Sequence, residues 1–151
     1  MNKLIGPIRK ETATISFKVR SKEVLVDKLY DPHDQLELMA KSFISKKMDI
    51  LALQLSYMGC PDDEIERLIT TLTGLEKFNL IDLCRFLDLI SQKIGKLHDP
   101  VFVIDAIAYN VTRFQPDPNH AVIMAGVLIS DFAALNDPKK EKEFAASLKG
   151  N

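Results

Sequence analysis

The residues that could hold a metal ion are the three histidines, because each lies within three positions of an aspartate. They are His33, His98 and His120. Imidazole nitrogens and carboxylate oxygens are common metal ligands, so these groups could converge in a fold. However, no two histidines are four residues apart on one helix, as a compact helical metal motif requires, and the aspartates have a simpler role as helix caps. We therefore predict no metal site.

Nucleophilic catalysis has no local motif in this sequence. It contains no Gly-x-Ser-x-Gly and no glycine-rich phosphate loop. Cys60 and Cys84 are too few for a disulfide framework and are not spaced as a redox or zinc pair, so we interpret them as small core side chains in a reducing compartment. We predict no catalytic residue and no cofactor.

One stretch near the N-terminus alternates strictly between polar and apolar residues. Its apolar members are Ala13, Ile15, Phe17 and Val19. Its polar members are Thr12, Thr14, Ser16, Lys18 and Arg20. This period of two predicts a β-strand, and the strand needs a partner for its backbone groups. The partner is either residues 23–30, through a hairpin around Ser21-Lys22, or the same strand of a second molecule.

This strand resembles that of the ribbon-helix-helix DNA-binding proteins. The resemblance rests on the strand Thr14-Ile15-Ser16-Phe17-Lys18-Val19-Arg20, on Ser21-Lys22-Glu23 as a helix start, and on Ser45-Lys46-Lys47-Met48-Asp49-Ile50-Leu51 as the start of the second helix. In that family the strand pairs across a dimer, and the ribbon enters the major groove of DNA. The resemblance implies a nucleic-acid-binding site at Thr14, Ser16, Lys18 and Arg20.

Helix starts are marked by a recurring Asp-Pro dipeptide. The aspartate can cap free amide groups, and a proline fits the first helical position. The dipeptide occurs at Asp31-Pro32, Asp99-Pro100, Asp117-Pro118 and Asp137-Pro138. The segment Cys60–Glu64 and the pair Asn79 and Asp82 have the composition of two further starts. Six starts predict a helical bundle with short connections.

The most apolar of the predicted helices is residues 118–135. Residues 121–129 within it hold no charged or strongly polar side chain. Such a helix is apolar on nearly every side, so we predict that it is the central core helix, surrounded by protein. The apolar run is about half as long as a bilayer span requires. We expect it to pack on residues 100–112, with Ala121, Ala125 and Gly126 permitting close approach.

Residues 31–58 are expected to form one long helix, or two if Ser45 caps a new one. A first apolar stripe consists of Ile44, Met48, Leu51, Leu55 and Met58, which follow one another at spacings of four and three. A second stripe consists of Leu36, Met39, Phe43 and Ile50. Two stripes on one helix indicate that this region is contacted on two sides.

The length and charge distribution complete the prediction of the fold. A chain of 151 residues can bury a core in one domain. Residues 1–28 contain seven Lys or Arg against three acidic residues, whereas the whole chain has a net charge of -1. We therefore predict a basic N-terminal β segment at 1–30 and a helical bundle at 31–151. The fold class is mainly α, a compact multi-helix bundle of five to seven helices with a short N-terminal β-strand or hairpin.

The functional prediction follows mainly from the missing catalytic motifs, together with a strand that lacks an obvious partner and the two apolar stripes. We predict a non-enzymatic adaptor or regulatory protein that acts by protein–protein interaction, as a homodimer. The chain lacks a signal-peptide pattern, so we place it in the cytoplasm without a membrane partner. One alternative is a dimeric DNA-binding regulator that uses the N-terminal ribbon. A second alternative is a cofactor-free enzyme whose site is assembled from distant residues.

Overall fold

The chain folds into a β-hairpin followed by a helical bundle, as predicted. The computed structural model describes residues 11–31 and 33–150, so the first ten residues of the predicted basic segment, and Pro32, lie outside the described residues. In the described part the elements are β1 (Glu11–Val19), β2 (Lys22–Tyr30), α1 (Gln35–Tyr57), α2 (Asp62–Thr73), α3 (Leu80–Lys93), α4 (Pro100–Phe114), α5 (Pro118–Leu135) and α6 (Pro138–Leu148). A 3₁₀ turn, Ile94–Lys96, follows α3.

The predicted strand finds its partner within the chain. β1 pairs antiparallel with β2, so that Phe17 lies opposite Val24. The turn residues Arg20 and Ser21 both have positive φ, 53° and 67°, as a tight two-residue hairpin turn requires. The helix start expected at Ser21-Lys22-Glu23 is therefore wrong. Alternating apolar residues in β2 pair with those of β1, and this pairing decides the local structure.

α1 is one continuous helix. The break considered at Ser45 is wrong, because both apolar stripes keep their helical spacing through this position. The helix is capped by Asp34, whose carboxylate accepts the Leu36 N–H at 2.9 Å. Asp31, the expected cap, instead accepts the His33 N–H at 2.9 Å. The helix thus begins three residues later than the Asp-Pro pattern indicates.

The remaining predicted helix starts are all found. Asn79 accepts the Asp82 N–H at 2.8 Å, and Asp117 accepts the His120 N–H at 2.9 Å. Asp137 caps α6 through the amides of its first turn, and α2 follows Pro61 with three acidic residues in its first turn. Asn79, Asp117 and Asp137 are therefore the caps that the sequence indicates.

The prediction that residues 118–135 form the central helix is wrong. α5 packs against α3, α4 and α6, but Ile123 and Val127 on its outer side remain 66% and 48% exposed. The helix with the most buried side chains is α4, which contacts α2, α5 and α6. A uniformly apolar sequence does not indicate which side of a helix faces the core. The helices that pack against α5 decide it.

α5 also differs from the prediction in how it uses its small residues. Ala121 and Ala125 are fully buried, but a Cβ added at Gly126 would meet the Leu89 side chain of α3 at 3.5 Å, so this glycine approaches α3 rather than α4. By length and composition alone, α5 could cross a membrane. The core helix of a soluble protein passes the same test.

A buried carboxylate joins α6 to the start of α4. Glu141 is 1% exposed, and its two oxygens accept the His98 N–H at 3.0 Å and the Asp99 N–H at 2.7 Å. Asp99 occupies the cap position of α4 but makes no side-chain capping bond. The backbone N–H groups at the start of α4 thus donate their hydrogen bonds to a side chain of α6.

We expect Glu141→Gln to lower the free energy of unfolding by roughly 1–3 kcal/mol, because the amide keeps one acceptor oxygen, loses the negative charge and places an NH₂ donor where the second oxygen accepted an N–H. Urea denaturation followed by circular dichroism measures the change. Glu143→Gln is the matched control, since Glu143 is exposed on the same helix and should leave stability nearly unchanged. Equal midpoints for the two variants would contradict this role of Glu141.

Candidate functional site

An exposed apolar stripe runs along the whole length of α1. We call it the outer stripe, and it consists of Leu36, Met39, Phe43, Lys46, Ile50, Leu53 and Tyr57. Its six large apolar side chains are all exposed, from 47% for Phe43 to 84% for Tyr57. The four residues of the predicted second stripe all belong to it. Leu53 and Tyr57 continue it to the end of the helix.

The opposite side of α1 forms part of the core. Its buried apolar side chains are Ala40, Ile44, Met48, Leu51, Ala52 and Leu55. This inner side packs against α3, β1 and α2. At 100° per residue the two stripes lie on nearly opposite sides of the helix. The fold therefore accounts for the inner stripe only, and the outer one is a continuous apolar surface of the kind that marks interaction sites.

The polar residues beside the outer stripe are tied to the body of the protein. On one side, Lys47 forms an ion pair with Asp88 of α3 at 2.6 Å. On the other, a carboxylate oxygen of Asp49 accepts the Arg20 N–H of the hairpin turn at 2.7 Å. These contacts fix how α1 is rotated about its own axis. The outer stripe is consequently held towards solvent.

Three of the four predicted nucleic-acid-binding residues share the outward face of the hairpin. Thr14, Ser16 and Lys18 alternate with the buried residues of β1 and are exposed. The Thr14 hydroxyl donates to Asp27 at 2.7 Å, and the Ser16 hydroxyl donates to Glu23 at 2.8 Å. Lys18 lies opposite Glu23 in the register. The structure thus interleaves these side chains with carboxylates, which repel phosphate.

Arg20, the fourth predicted residue, lies in the hairpin turn rather than on that face. Its guanidinium contacts Asp62 of α2 at 2.9 Å. Lys22 likewise pairs with Glu66, so the turn is attached to α2 by two ion pairs. The strand pairing across a dimer that the ribbon-helix-helix resemblance implies is replaced here by pairing within the chain. DNA binding by this segment stays a prediction.

The groups considered for metal binding and nucleophilic chemistry lie in ordinary surroundings. All three histidines are exposed, and within residues 11–31 and 33–150 no group of three or more His, Cys, Asp or Glu could hold a metal ion. Burial raises the pKa of both Cys60 and Cys84, and carboxylates near Cys60 raise its pKa further. A raised thiol pKa is the opposite of what an activated nucleophile needs.

A cleft between α2 and α4 was not predicted from the sequence. It has a volume of about 330 Å³ and carries Arg67 from α2, Asp105 and Arg113 from α4, and Lys149 from the end of α6. Arg67 forms an ion pair with Asp105 at 2.8 Å. The cationic residues are separated by 36 or more positions in the chain, so sequence reasoning had no local signal for this site.

Lys28 is a second group that sequence reasoning missed. It belongs to β2 but points inwards, is 5% exposed, and donates to the carbonyl oxygens of Leu75 and Phe78, the latter at 2.8 Å. The signal was present, because the period of two places Lys28 on the same side as Val24 and Val26. Its ammonium group joins the hairpin to the loop between α2 and α3.

Comparisons with known proteins found no match to this chain. No family model matches the chain, and neither a curated protein nor a solved structure does so. The outer stripe of α1 and the α2–α4 cleft are therefore the two candidate sites, chosen on the physical properties of their residues.

Burial lowers the pKa of Lys28 to about 8, although Glu76 acts in the opposite direction. Between pH 8 and the usual lysine pKa the folded state releases a proton that the unfolded state keeps, so raising the pH through this window favours folding. Relative to Lys28→Met, the wild-type protein should gain roughly 2 kcal/mol of unfolding free energy between pH 7 and pH 9.5.

Urea titrations at the two pH values measure this difference. Lys96→Met is the control, because Lys96 is exposed and its replacement should give a difference that hardly changes with pH. A pH-independent difference between wild type and Lys28→Met would show that Lys28 does not titrate in this range.

Proposed function

We propose that this protein is a non-enzymatic adaptor or regulator that acts through protein–protein contacts and self-associates along α1. The observation that carries the proposal is the outer stripe, a row of exposed apolar side chains on a helix whose other side already forms core. Its occupant is the same stripe of a second copy. A two-fold pair of this kind presents one patch to itself, as isologous dimers do.

The spacing of the outer stripe fits a helix–helix seam. From Leu36 to Tyr57 its members follow at alternating intervals of three and four residues, which is the a and d pattern of a coiled coil over three heptads. The 23 residues of α1 span roughly 35 Å at 1.5 Å per residue. A second helix with the same pattern can therefore meet this surface along its full length.

The area of the outer stripe reaches the lower bound for a specific interface if the stripe is fully buried. Its six large apolar side chains each expose on the order of 100 Å², so two stripes together can bury roughly 1,200 Å². That value lies at the lower bound for specific interfaces. Aromatic residues, which contribute most per residue in interfaces, stand at two positions, Phe43 and Tyr57.

Charge complementarity favours an antiparallel pair. Lys46 is the one charged member of the outer stripe and lies near its centre, where a two-fold axis would pass. Helical side chains tilt towards the N-terminus of their own helix. In an antiparallel pair this direction leads Lys46 towards Asp49 of the other copy, whereas in a parallel pair it leads towards Ser42. Antiparallel pairing thus supplies each Lys46 with a carboxylate.

We expect Met39→Glu to convert a dimer into a monomer of 17.0 kDa, because each pair would bury two carboxylates among apolar side chains, two turns away from Lys46 along the helix. Sedimentation equilibrium measures the mass, and circular dichroism checks the fold. Leu25→Glu is the matched control, since Leu25 is equally exposed but lies on the hairpin. A wild-type protein that is monomeric at every concentration tested would overturn self-association.

A charge reversal tests the orientation separately. Lys46→Glu should weaken the dimer by bringing together like charges, and Lys46→Glu combined with Asp49→Lys should restore much of the loss in an antiparallel pair. We expect a coupling of about 0.5–2 kcal/mol in a double-mutant cycle on the dimer dissociation constant. Purely additive effects would contradict the antiparallel arrangement. Asp49→Lys alone serves to measure the cost of losing its bond to the hairpin turn.

A further inference from the structure

The cleft between α2 and α4 concentrates positive charge on a protein whose net charge is -1. Three cationic side chains, Arg67, Arg113 and Lys149, line it together with a single carboxylate, Asp105. A cleft with an excess of one charge focuses the field and attracts ligands of the opposite charge. The surroundings therefore favour a ligand that carries at least two negative charges.

Aromatic rings hold two of these cations in place. The guanidinium of Arg113 lies 5.3 Å from the centre of the Tyr109 ring, which brings it back along α4 towards Asp105. The ammonium group of Lys149 lies 5.5 Å from the centre of the Phe102 ring. Cation–π contacts of this kind limit the motion of long side chains. The charges are thus partly ordered before a ligand arrives, which lowers the entropy cost of binding.

Arg67 supplies hydrogen-bond donors from the other wall of the cleft. One of its nitrogens contacts Asp105 at 2.8 Å, and the side chain remains 54% exposed. A guanidinium has five N–H donors, so this contact leaves donors for a ligand. A guanidinium binds carboxylate and phosphate alike, but three cationic groups can each contact a different oxygen of a phosphate, whereas a carboxylate has only two oxygens.

A threonine hydroxyl in the cleft wall adds a second, independent observation. The hydroxyls of Thr70, Thr71 and Thr73 all donate to helix carbonyls one turn earlier. The hydroxyl oxygen of Thr112, which lines the cleft, is buried and has no hydrogen-bond partner in the described chain. Because a buried hydroxyl without a partner is unfavourable, a ligand oxygen that accepted its hydrogen bond after a change of χ1 rotamer would gain free energy from it.

From these features we propose that the α2–α4 cleft binds a small phosphorylated molecule. Its volume of about 330 Å³ admits a phosphate or diphosphate group with a small organic part. The half-buried ring of Tyr109 supplies apolar surface for that part, while the three cations hold the phosphate. The site lies on α2 and α4, whereas the proposed dimer surface lies on α1, so either can exist without the other.

Pyrophosphate is the probe that tests this site, titrated into the ¹⁵N-labelled protein at constant ionic strength and followed by NMR. We expect saturable shifts confined to amides of residues 67–75 and 105–113. Arg113→Gln should weaken binding at least about tenfold, because it removes a charged hydrogen bond, and Thr112→Val should weaken it less. Lys142→Gln is the matched control, since it removes one exposed positive charge elsewhere and should change the affinity less than about twofold.

Three results would overturn the proposal: no saturable shifts at millimolar pyrophosphate, shifts spread over the exposed lysines, or equal losses for Arg113→Gln and Lys142→Gln. Thr112→Val keeps the charge and shape of the cleft, so it reports on the site even where Arg113→Gln disturbs folding. Sedimentation of the same samples shows whether the dimer persists. Failure of the cleft is thereby distinguished from failure of self-association.

Discussion

The burial of the inner stripe of α1 is the constraint on which the rest of the structure depends. Ile44, Met48, Leu51 and Leu55 are completely buried, and burial of each such side chain is worth about 1.5–3 kcal/mol. This side of α1 receives α3, the hairpin and α2. The rotation of α1 is thereby fixed, and its second apolar stripe has no place in the core.

Buried charged groups add polar links between elements that the apolar core also connects. Lys28 donates to carbonyls of the α2–α3 loop, Glu37 accepts the Asp31 N–H where the hairpin meets α1, and Glu141 accepts the amides at the start of α4. Each of these groups loses hydration on folding, and its bonds to backbone groups offset that cost. All three therefore act where backbone groups at element ends need partners.

The sequence allowed the local features of this fold to be predicted, and the outer stripe with them. Caps at Asn79, Asp117 and Asp137, the strand from its period of two, and the second stripe of α1 depend only on neighbouring residues. The position of α5 depends instead on which helices pack against it. An apolar run in the sequence does not indicate which helices these are. Capping of α4 by Glu141 needed a contact across more than 40 residues.

The distribution of charge shows the same division between local and long-range information. The basic N-terminal segment suggests a surface for phosphate, yet Arg20 and Lys22 pair with acidic residues of α2, and Lys18 faces Glu23. In the part of this segment that the structure describes, folding thus places acidic side chains beside three of its cations. In the α2–α4 cleft the opposite happens, because Arg67, Arg113 and Lys149 are far apart in the chain and meet only when three helices pack. The α2–α4 cleft therefore has a positive charge because the tertiary fold brings together three cations and only one carboxylate. The local composition of the chain does not indicate where such a cleft will form.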